Sequence, residues 1–315
     1  MKNFTSIKDA GDLKELLQKA LKLKANPFQF NELGKNQTLG LVFFNPSLRT
    51  RLSTQRAAQN LGLNSIVYNA GQGWKLEFED AVCMDGDKAE HIKEAAAVMS
   101  QYFDLIGIRA FSSLTDRKRD YEDFVLNKFI KYATVPVVSL ESAIRHPLQS
   151  LADLMTIEEK KKVEKPKVAL TWAPHPKALP QAVANSFAEW MLRTQVDLTI
   201  VQPEGFQLSE KFTKGAHIET NQKKAFRDAD FIYAKNWSCF EDYGKVSEKH
   251  SDWTITPAKM ALTKDAYFMH CLPVRRNVVV ADAVLDSPKS LVIEQANNRT
   301  FAAQAVLAEI LKNSK

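Results

Sequence analysis

Short runs of apolar, often β-branched residues alternate with longer stretches of helical pattern along almost the whole chain. Several runs are apolar at every position, which is typical of strands buried on both faces of a parallel sheet. The alternation therefore predicts an α/β fold with doubly wound parallel sheets. The predicted strands are Leu39–Phe44, Ser65–Tyr68, Leu105–Arg109, Val135–Leu140, Val168–Trp172, Asp197–Val201, Phe231–Ala234, Tyr267–Met269 and Leu291–Glu294.

The 315 residues are enough for two domains, and a charged stretch around residues 158–166 marks a boundary between them. We predict a first domain of residues 1–147 and a second of residues 160–298, joined by a bridging helix. The last helix, within residues 299–315, has no strand after it, and we expect it to return to the first domain. The predicted helices are Asp12–Lys24, Thr50–Leu61, His91–Phe103, Leu148–Glu159, Leu179–Thr194, Gln222–Asp228 and Thr300–Lys312.

Composition and residue spacing exclude several classes of protein. The net charge of +6 is modest, and no basic stripe with interleaved aromatic residues predicts binding to nucleic acid. Three distant cysteines without a CxxC pair argue against a disulfide framework or structural zinc, and six histidines without ligand spacing argue against a metal site. No apolar run approaches the roughly 18–20 residues of a membrane span, and no secretory signal is visible. We expect a soluble, cytoplasmic protein that needs no cofactor.

The first predicted strand runs directly into Asn45–Arg51, and a helix follows. Ser47 is a good N-cap residue, and free backbone N–H groups at a helix start bind anions. Arg49 adds a planar fork for phosphate oxygens, and Thr50 adds a hydroxyl. The alternative is a capped surface helix with solvated arginines, and this segment alone does not decide between them. The chain has neither a Walker sequence nor a dinucleotide glycine fingerprint, so any phosphate site here is not a nucleotide site.

Further polar groups follow the ends of other predicted strands. Arg109 closes one strand, His146–Gln149 opens the bridging helix, and His270–Pro273 closes another strand. Arg299 is expected at the start of the final helix. A lone arginine or histidine at a strand end more often has a structural role than a binding role. Ligands of open α/β sheets, however, bind at the carboxyl ends of the strands, where all of these residues are expected. Together these groups predict an anion-binding site.

These segments together resemble the aspartate/ornithine carbamoyltransferase family. The matches are Ser47–Arg51 (Ser-Leu-Arg-Thr-Arg), His146–Gln149 (His-Pro-Leu-Gln), His270–Pro273 (His-Cys-Leu-Pro) and, more loosely, Glu294–Arg299. They occur in the family's order, and the His-Cys-Leu-Pro segment is similar to the ornithine branch rather than the aspartate branch. The resemblance implies transfer of a carbamoyl group from carbamoyl phosphate to an amine, without a covalent enzyme intermediate or a cofactor.

The resemblance also implies roles for individual residues. Arg109 would bridge phosphate and the carbonyl oxygen, Thr50 and His146 would polarise that carbonyl, and Cys271 would orient the incoming amine. Gln149 and the backbone around Leu272 would take the carbamoyl amide. The expected carbamoyl-phosphate site comprises Ser47, Leu48, Arg49, Thr50, Trp74, Arg109, His146, Gln149, Leu272 and Arg299.

The chain departs from ordinary ornithine carbamoyltransferases where those enzymes carry an Asp-x-x-x-Ser-Met-Gly loop. Here the strand runs into residues 234–239, and Lys235 is a cation where a free α-amino group would be bound. A cation suits a carboxylate and an acylated nitrogen, so the chain resembles the N-acylornithine branch. Glu141 and Lys235 are expected to bind the acylated amide and α-carboxylate, with a structural ion pair as the alternative. The remaining expected substrate residues are Glu90, His175, Lys177 and Cys271.

Two indications about the acyl group conflict. A carboxylate at Glu90 would repel a succinyl carboxylate and so favours acetyl. The short chain and its 235–237 segment are more similar to the succinylornithine type, so we place N-succinylornithine first and N-acetylornithine a close second. The family's trimers share active sites, which implies that Trp74 acts in a neighbouring subunit of a homotrimer. The alternatives are an ordinary ornithine carbamoyltransferase and a non-catalytic anion-binding protein with this fold.

Overall fold

The computed structural model describes residues 1–70, 72–246 and 250–313, which divide into two compact units. Unit 1 comprises Met1–Ser112, Lys118–Leu148 and Arg299–Lys315, and unit 2 comprises Ser113–Arg117 and Gln149–Asn298. Gly71, residues 247–249 and residues 314–315 lie outside the described residues, and the last of these belong to the segment predicted for the final helix.

Unit 1 is built on a parallel sheet with strand order β2-β1-β5-β6, and β3 pairs with β4 in a separate small ladder. Its strands are β1 (Thr38–Phe43), β2 (Asn64–Asn69), β3 (Leu76–Glu77), β4 (Glu90–His91), β5 (Leu105–Arg109) and β6 (Val137–Glu141). The helices up to the end of this sheet are α1 (Leu13–Ala25), α2 (Arg49–Asn60), α3 (Ile92–Tyr102), α4 (Arg117–Tyr121) and α5 (Phe124–Tyr132), and a 3₁₀ helix spans Ile7–Ala10.

Unit 2 contains a parallel sheet with strand order β11-β10-β7-β8-β9. Its strands are β7 (Lys167–Trp172), β8 (Asp197–Val201), β9 (His217–Glu219), β10 (Phe231–Lys235) and β11 (Tyr267–Met269). The remaining helices are α6 (Pro147–Lys160), α7 (Ala182–Met191), α8 (Glu210–Thr213), α9 (Gln222–Phe226), α10 (Pro257–Met260), α11 (Asp282–Leu285) and α12 (Val292–Asn313), and a 3₁₀ helix spans Ser251–Trp253. Helices α6 and α12 have residues in both units.

Burial explains why these apolar runs form parallel strands. In β1 every residue after Thr38 is buried, as expected for a strand covered on both faces. Gly40 of β1 lies directly against the Phe103 ring, and an added side chain would collide with that ring. The ring of Phe129 on α5 packs in the same core, which also contains Ile106 and Ile108 of β5.

The strand register places Arg109 beside Glu141 at the carboxyl end of one sheet and places Lys235 at the carboxyl end of the other. In unit 1, Phe43 pairs with Arg109, and Arg109 pairs with Glu141. In unit 2, Trp172 pairs with Lys235. These edges are where open α/β sheets bind ligands.

The predicted α/β fold with two parallel sheets and a returning C-terminal helix is confirmed, but the predicted strand Leu291–Glu294 is wrong. Ser290 forms an isolated bridge with Phe268 of β11, the Leu291 N–H donates to the Phe268 carbonyl, and α12 begins at Val292. A short apolar run cannot be distinguished from the buried start of a helix by periodicity alone. Because α12 begins earlier than predicted, Arg299 lies inside this helix rather than at its start.

Candidate active site

The start of α2 presents the first predicted phosphate residues in unit 1. Leu48 occupies the N-cap position, while the Ser47 hydroxyl accepts a hydrogen bond from the Thr50 N–H at 3.2 Å. Ser47 therefore satisfies one of the helix-start donors, but it does so from the position before the N-cap rather than as the N-cap that the sequence predicted. Arg49 is partly exposed at the first position of α2, and the Leu48 side chain is largely exposed.

Thr50, His146 and Arg299 meet in the interior of unit 1, although they are far apart in the chain. Arg299 donates from Nη2 to the Thr50 hydroxyl at 2.6 Å, and its Nη1 lies 3.4 Å from Nε2 of His146. All three side chains are at most 6% exposed. A buried guanidinium beside a hydroxyl and an imidazole is a group that can bind phosphate oxygens and polarise a carbonyl.

Arg109 and Glu141 extend this group along the carboxyl edge of the sheet. The Arg109 guanidinium lies 3.1 Å from Oε2 of Glu141, which is in turn 3.6 Å from His146 Nε2. Arg109 also donates from Nη1 to the carbonyls of Asn45 and Pro46, both at 2.8 Å. Burial lowers the pKa of Arg109, and Glu141 opposes that change, so the guanidinium keeps its charge.

Glu141 forms an ion pair within unit 1, and the substrate role expected for it stays a prediction. The sequence suggested that Glu141 would bind the acylated amide of the substrate. In the structure its carboxylate forms an ion pair with Arg109 of the same sheet, the structural alternative stated above. Glu141 therefore lies with the predicted phosphate residues of unit 1.

Trp74 and Glu90 meet at the small β3–β4 ladder of unit 1. The indole Nε1 of Trp74 donates to Oε2 of Glu90 at 2.8 Å, and the Tyr68 hydroxyl donates to the Trp74 carbonyl at 2.9 Å. The predicted loop after β2 is further held by Glu77, whose carboxylate accepts hydrogen bonds from the N–H groups of residues 78 and 79. The indole remains 53% exposed in the single chain.

Lys235 lies at the end of β10 in unit 2 and is only 8% exposed. Within the described part of the chain, no carboxylate forms an ion pair with its ammonium group. A buried charge without a counter-ion is unfavourable, so this position is suited to an anionic ligand group.

His175 lies near the same cation. The pKa of the His175 imidazole is lowered, and burial is the largest cause. The cationic side chains of Lys235, Arg275 and Lys177 lower it further. The structure thus brings together three of the expected substrate residues, His175, Lys177 and Lys235, and adds Arg275. The sequence reasoning missed Arg275, although it lies two residues after the His-Cys-Leu-Pro segment.

The His270–Pro273 segment follows β11 directly. His270 and Cys271 are buried, and Leu272 has a positive φ of 56°. The His270 N–H donates to Oε1 of Gln295 at 3.0 Å, and the Leu272 N–H donates to Nδ1 of His270 at 2.9 Å. Positive φ is costly for leucine and is found where surrounding contacts hold a functional backbone in place.

Gln149 is buried near the start of α6 and donates from Nε2 to Oδ1 of Asp153 at 2.7 Å. Gln295 donates to the same oxygen at 2.6 Å. Sequence reasoning assigned no role to Asp153 or Gln295. Spacing does not predict a hydrogen bond between residues 142 positions apart.

The described residues contain no cluster of three or more metal-ligating side chains, and none of their helices is long and apolar enough to cross a membrane.

Family comparisons agree with the geometry. A family profile described as "Aspartate/ornithine carbamoyltransferase, carbamoyl-P binding domain" matches residues 2–159, and the "Asp/Orn binding domain" profile matches residues 180–310. The chain therefore belongs to the aspartate/ornithine carbamoyltransferase family.

Among its relatives, the N-succinylornithine carbamoyltransferase of Bacteroides thetaiotaomicron is 53% identical over 99% of each chain. The N-acetylornithine carbamoyltransferase of Xanthomonas campestris pv. campestris is 37% identical over 94% of each chain. A crystal structure of acetylornithine transcarbamylase with acetylcitrulline has a TM-score of 0.93 and 36% identity, covering 98% of this chain and 99% of that one. A glutamate-to-alanine mutant of N-acetyl-L-ornithine transcarbamylase, complexed with carbamyl phosphate and N-succinyl-L-norvaline, has the same TM-score and identity, covering 98% and 100%.

Proposed function

We propose that this protein transfers the carbamoyl group of carbamoyl phosphate to the δ-amine of an N-acyl-L-ornithine. The products are an N-acyl-L-citrulline and phosphate, in a reaction of arginine biosynthesis. The observation that carries the proposal is the buried contact among Thr50, His146 and Arg299, made by segments from both ends of the chain. The relatives named above supply the substrate class.

The unit 1 residues suit the electrostatics of carbamoyl phosphate. Arg109 forms an ion pair with Glu141, and Arg299 lies beside His146. These two guanidinium groups and one carboxylate leave an excess of positive charge, which an anionic phosphate would neutralise. The Thr50 hydroxyl and the His146 imidazole would stabilise the carbonyl oxygen as it becomes negative during attack. Ser47, Leu48 and Arg49 at the start of α2 would hold phosphate oxygens.

Lys235 supports an acylated amino acid as the acceptor. Its buried ammonium group would pair with the α-carboxylate, with His175 and Lys177 nearby. A free α-ammonium group would be repelled by the ammonium groups of Lys235 and Lys177, whereas an acylated nitrogen is neutral. We place Cys271, Gln149 and the Leu272 backbone around the reacting carbamoyl and amine groups.

Two acyl groups remain candidates. N-succinylornithine is favoured by the 53% identity to an N-succinylornithine enzyme. N-acetylornithine is favoured by one residue: the Glu90 carboxylate is held by Trp74, and a succinyl carboxylate beside it would be repelled. The complex of a glutamate-replaced N-acetylornithine enzyme with N-succinyl-L-norvaline supports a glutamate as the discriminating group.

We also propose a cytoplasmic homotrimer in which Trp74 completes the active site of a neighbouring copy. Exposed apolar side chains on α2, β2 and the following loop support an interface there, because large apolar groups are more stable when covered. These side chains are Leu48, Leu52, Ile66 and Trp74, each more than half exposed in the single chain.

The test is an assay of ureido product from carbamoyl phosphate with ornithine, N-acetylornithine, N-succinylornithine or aspartate. Product from an N-acylornithine, but not from ornithine or aspartate, is the expected result. Product from free ornithine alone would refute the N-acyl assignment, and no product from any amine would favour a non-catalytic anion-binding protein.

A further inference from the structure

A single buried carboxylate links two parts of unit 2 that the proposed function places around the carbamoyl amide. Asp153 of α6 is completely buried, and its Oδ1 accepts hydrogen bonds from both Gln149 and Gln295. Gln149 lies one turn earlier on α6, whereas Gln295 belongs to α12.

From Gln295 the hydrogen bonds continue to the His270–Leu272 backbone. Oε1 of Gln295 accepts from the His270 N–H, and Nδ1 of His270 accepts from the Leu272 N–H. Leu272 has the strained left-handed backbone, which persists only when surrounding contacts hold it. The Tyr233 hydroxyl also lies near Asp153 and Cys271, where burial raises its pKa well above the ordinary value.

The chemistry of a carboxylate determines how both glutamines are oriented. Oδ1 of Asp153 accepts both of these hydrogen bonds, whereas a glutamine amide has one accepting oxygen and one donating NH₂ group. Both glutamines must therefore turn their NH₂ groups toward Asp153. Their Oε1 atoms then point the other way, and that of Gln295 accepts the His270 N–H.

We propose that Asp153 is a positioning residue that selects the side-chain amide orientation of Gln149 and, through Gln295, the backbone of His270–Leu272. In this orientation Gln149 offers an acceptor to the N–H of the carbamoyl amide. Asp153 thereby confers recognition of the amide of carbamoyl phosphate rather than of its phosphate. This inference rests on the proposed carbamoyl-phosphate site.

The experiment compares two ligands of the full-length protein by calorimetry: inorganic phosphate, and phosphonoacetamide, which carries a phosphonate and a carboxamide. Asp153→Asn keeps the size of the side chain but adds a hydrogen-bond donor. Each glutamine amide can then flip and present its oxygen, instead of its NH₂ group, to residue 153. Gln295→Met removes the hydrogen bond with the His270 N–H but keeps a side chain of similar volume. We expect each substitution to weaken phosphonoacetamide binding roughly fivefold and to change phosphate binding by less than about twofold, since one hydrogen bond contributes about 1 kcal/mol.

Thr156→Val is the matched control. Thr156 is equally buried on α6 and accepts a hydrogen bond at 3.0 Å from Asn298 of α12, but neither glutamine contacts it in the hydrogen bonds described above. Its substitution should lower the thermal stability without changing the ratio of the two affinities. The proposal is overturned if Asp153→Asn weakens both ligands equally or neither, or if Thr156→Val also weakens phosphonoacetamide selectively.

The binding measurement needs no turnover, so it separates this inference from the proposed function. A wild-type protein that forms no ureido product would refute the proposed transferase activity, while the ratio of affinities would still report on Asp153. Wild-type protein that binds phosphonoacetamide no better than phosphate, with a ratio unaffected by Asp153→Asn, would refute the positioning role.

Discussion

Glu90→Gln is the substitution that most directly tests how the acyl group is selected. Glutamine retains the size of Glu90 and an oxygen that can accept the Trp74 hydrogen bond, but it removes the negative charge. If the charge repels a succinyl carboxylate, the variant should use N-succinylornithine better relative to N-acetylornithine. The neutral acetyl group should be almost unaffected.

The size of the effect follows from the surroundings of Glu90. Two like charges about 4 Å apart repel by about 1 kcal/mol in water and about 4 kcal/mol at an effective dielectric constant of about 20. Glu90 is only partly buried, so solvent and salt bring the value toward the lower limit. We expect a gain of about 1–2 kcal/mol, or roughly 5–30-fold in the ratio of kcat/KM for the succinyl over the acetyl substrate.

The assay measures initial rates of ureido product with each acylornithine at saturating carbamoyl phosphate. Glu94→Gln is the control, because Glu94 is a largely exposed carboxylate on the adjoining first turn of α3. Its loss should leave the substrate ratio unchanged. An unaltered ratio in Glu90→Gln, or an equal rise in Glu94→Gln, would show that charge at Glu90 does not select the acyl group.

Further predictions address the phosphate residues, the acceptor, the buried Asp123 at the start of α5, and assembly. Thr50→Val removes the hydroxyl beside Arg299, and kcat should fall by about 10²–10³-fold in steady-state kinetics; a loss smaller than about tenfold would contradict its polarising role. Lys235→Met should raise the KM for N-acylornithine by about 10–100-fold without changing the KM for carbamoyl phosphate, because a charged hydrogen bond contributes about 1.5–3 kcal/mol. Burial raises the pKa of Asp123 to about 6 from 3.8, so the folded protein binds this proton more tightly and loses stability as pH rises through that interval. Relative to Asp123→Asn, the wild type should lose up to about 3 kcal/mol in free energy of unfolding between pH 4 and 7, measured by urea denaturation at each pH; a difference independent of pH would refute this. Leu52→Lys places a charge on the exposed apolar face, and sedimentation should then detect a smaller species than the trimer proposed for the wild type.

Local sequence located many of the candidate site residues because they follow strand ends. Arg109 is the last residue of β5, and Lys235 is the last residue of β10, so the apolar runs before them predicted both positions. The Ser47–Arg51 and His146–Gln149 segments were found for the same reason, since each joins a strand to a helix. Parallel strands bring such ends to one edge of a sheet whatever the details of packing.

Contacts between distant segments were not predictable in this way. The bond between Thr50 and Arg299 joins residues 249 positions apart, and it depends on α12 beginning early enough to place Arg299 inside the helix. The ion pair of Arg109 with Glu141 follows from the register of β5 and β6, which includes an irregularity just before Arg109. A pattern of residue types does not specify such a register.

What the sequence determined by itself is the α/β class, the order of most strands along the chain, and the family to which the chain belongs. These follow from apolar periodicity and from short segments whose residues act together with their immediate neighbours. Only the tertiary structure decided that Glu141 pairs with Arg109 and that Asp153 joins Gln149 to Gln295. The physical reason is that hydrogen bonds and ion pairs between distant segments depend on how helices and strands pack in three dimensions, which local pattern does not encode.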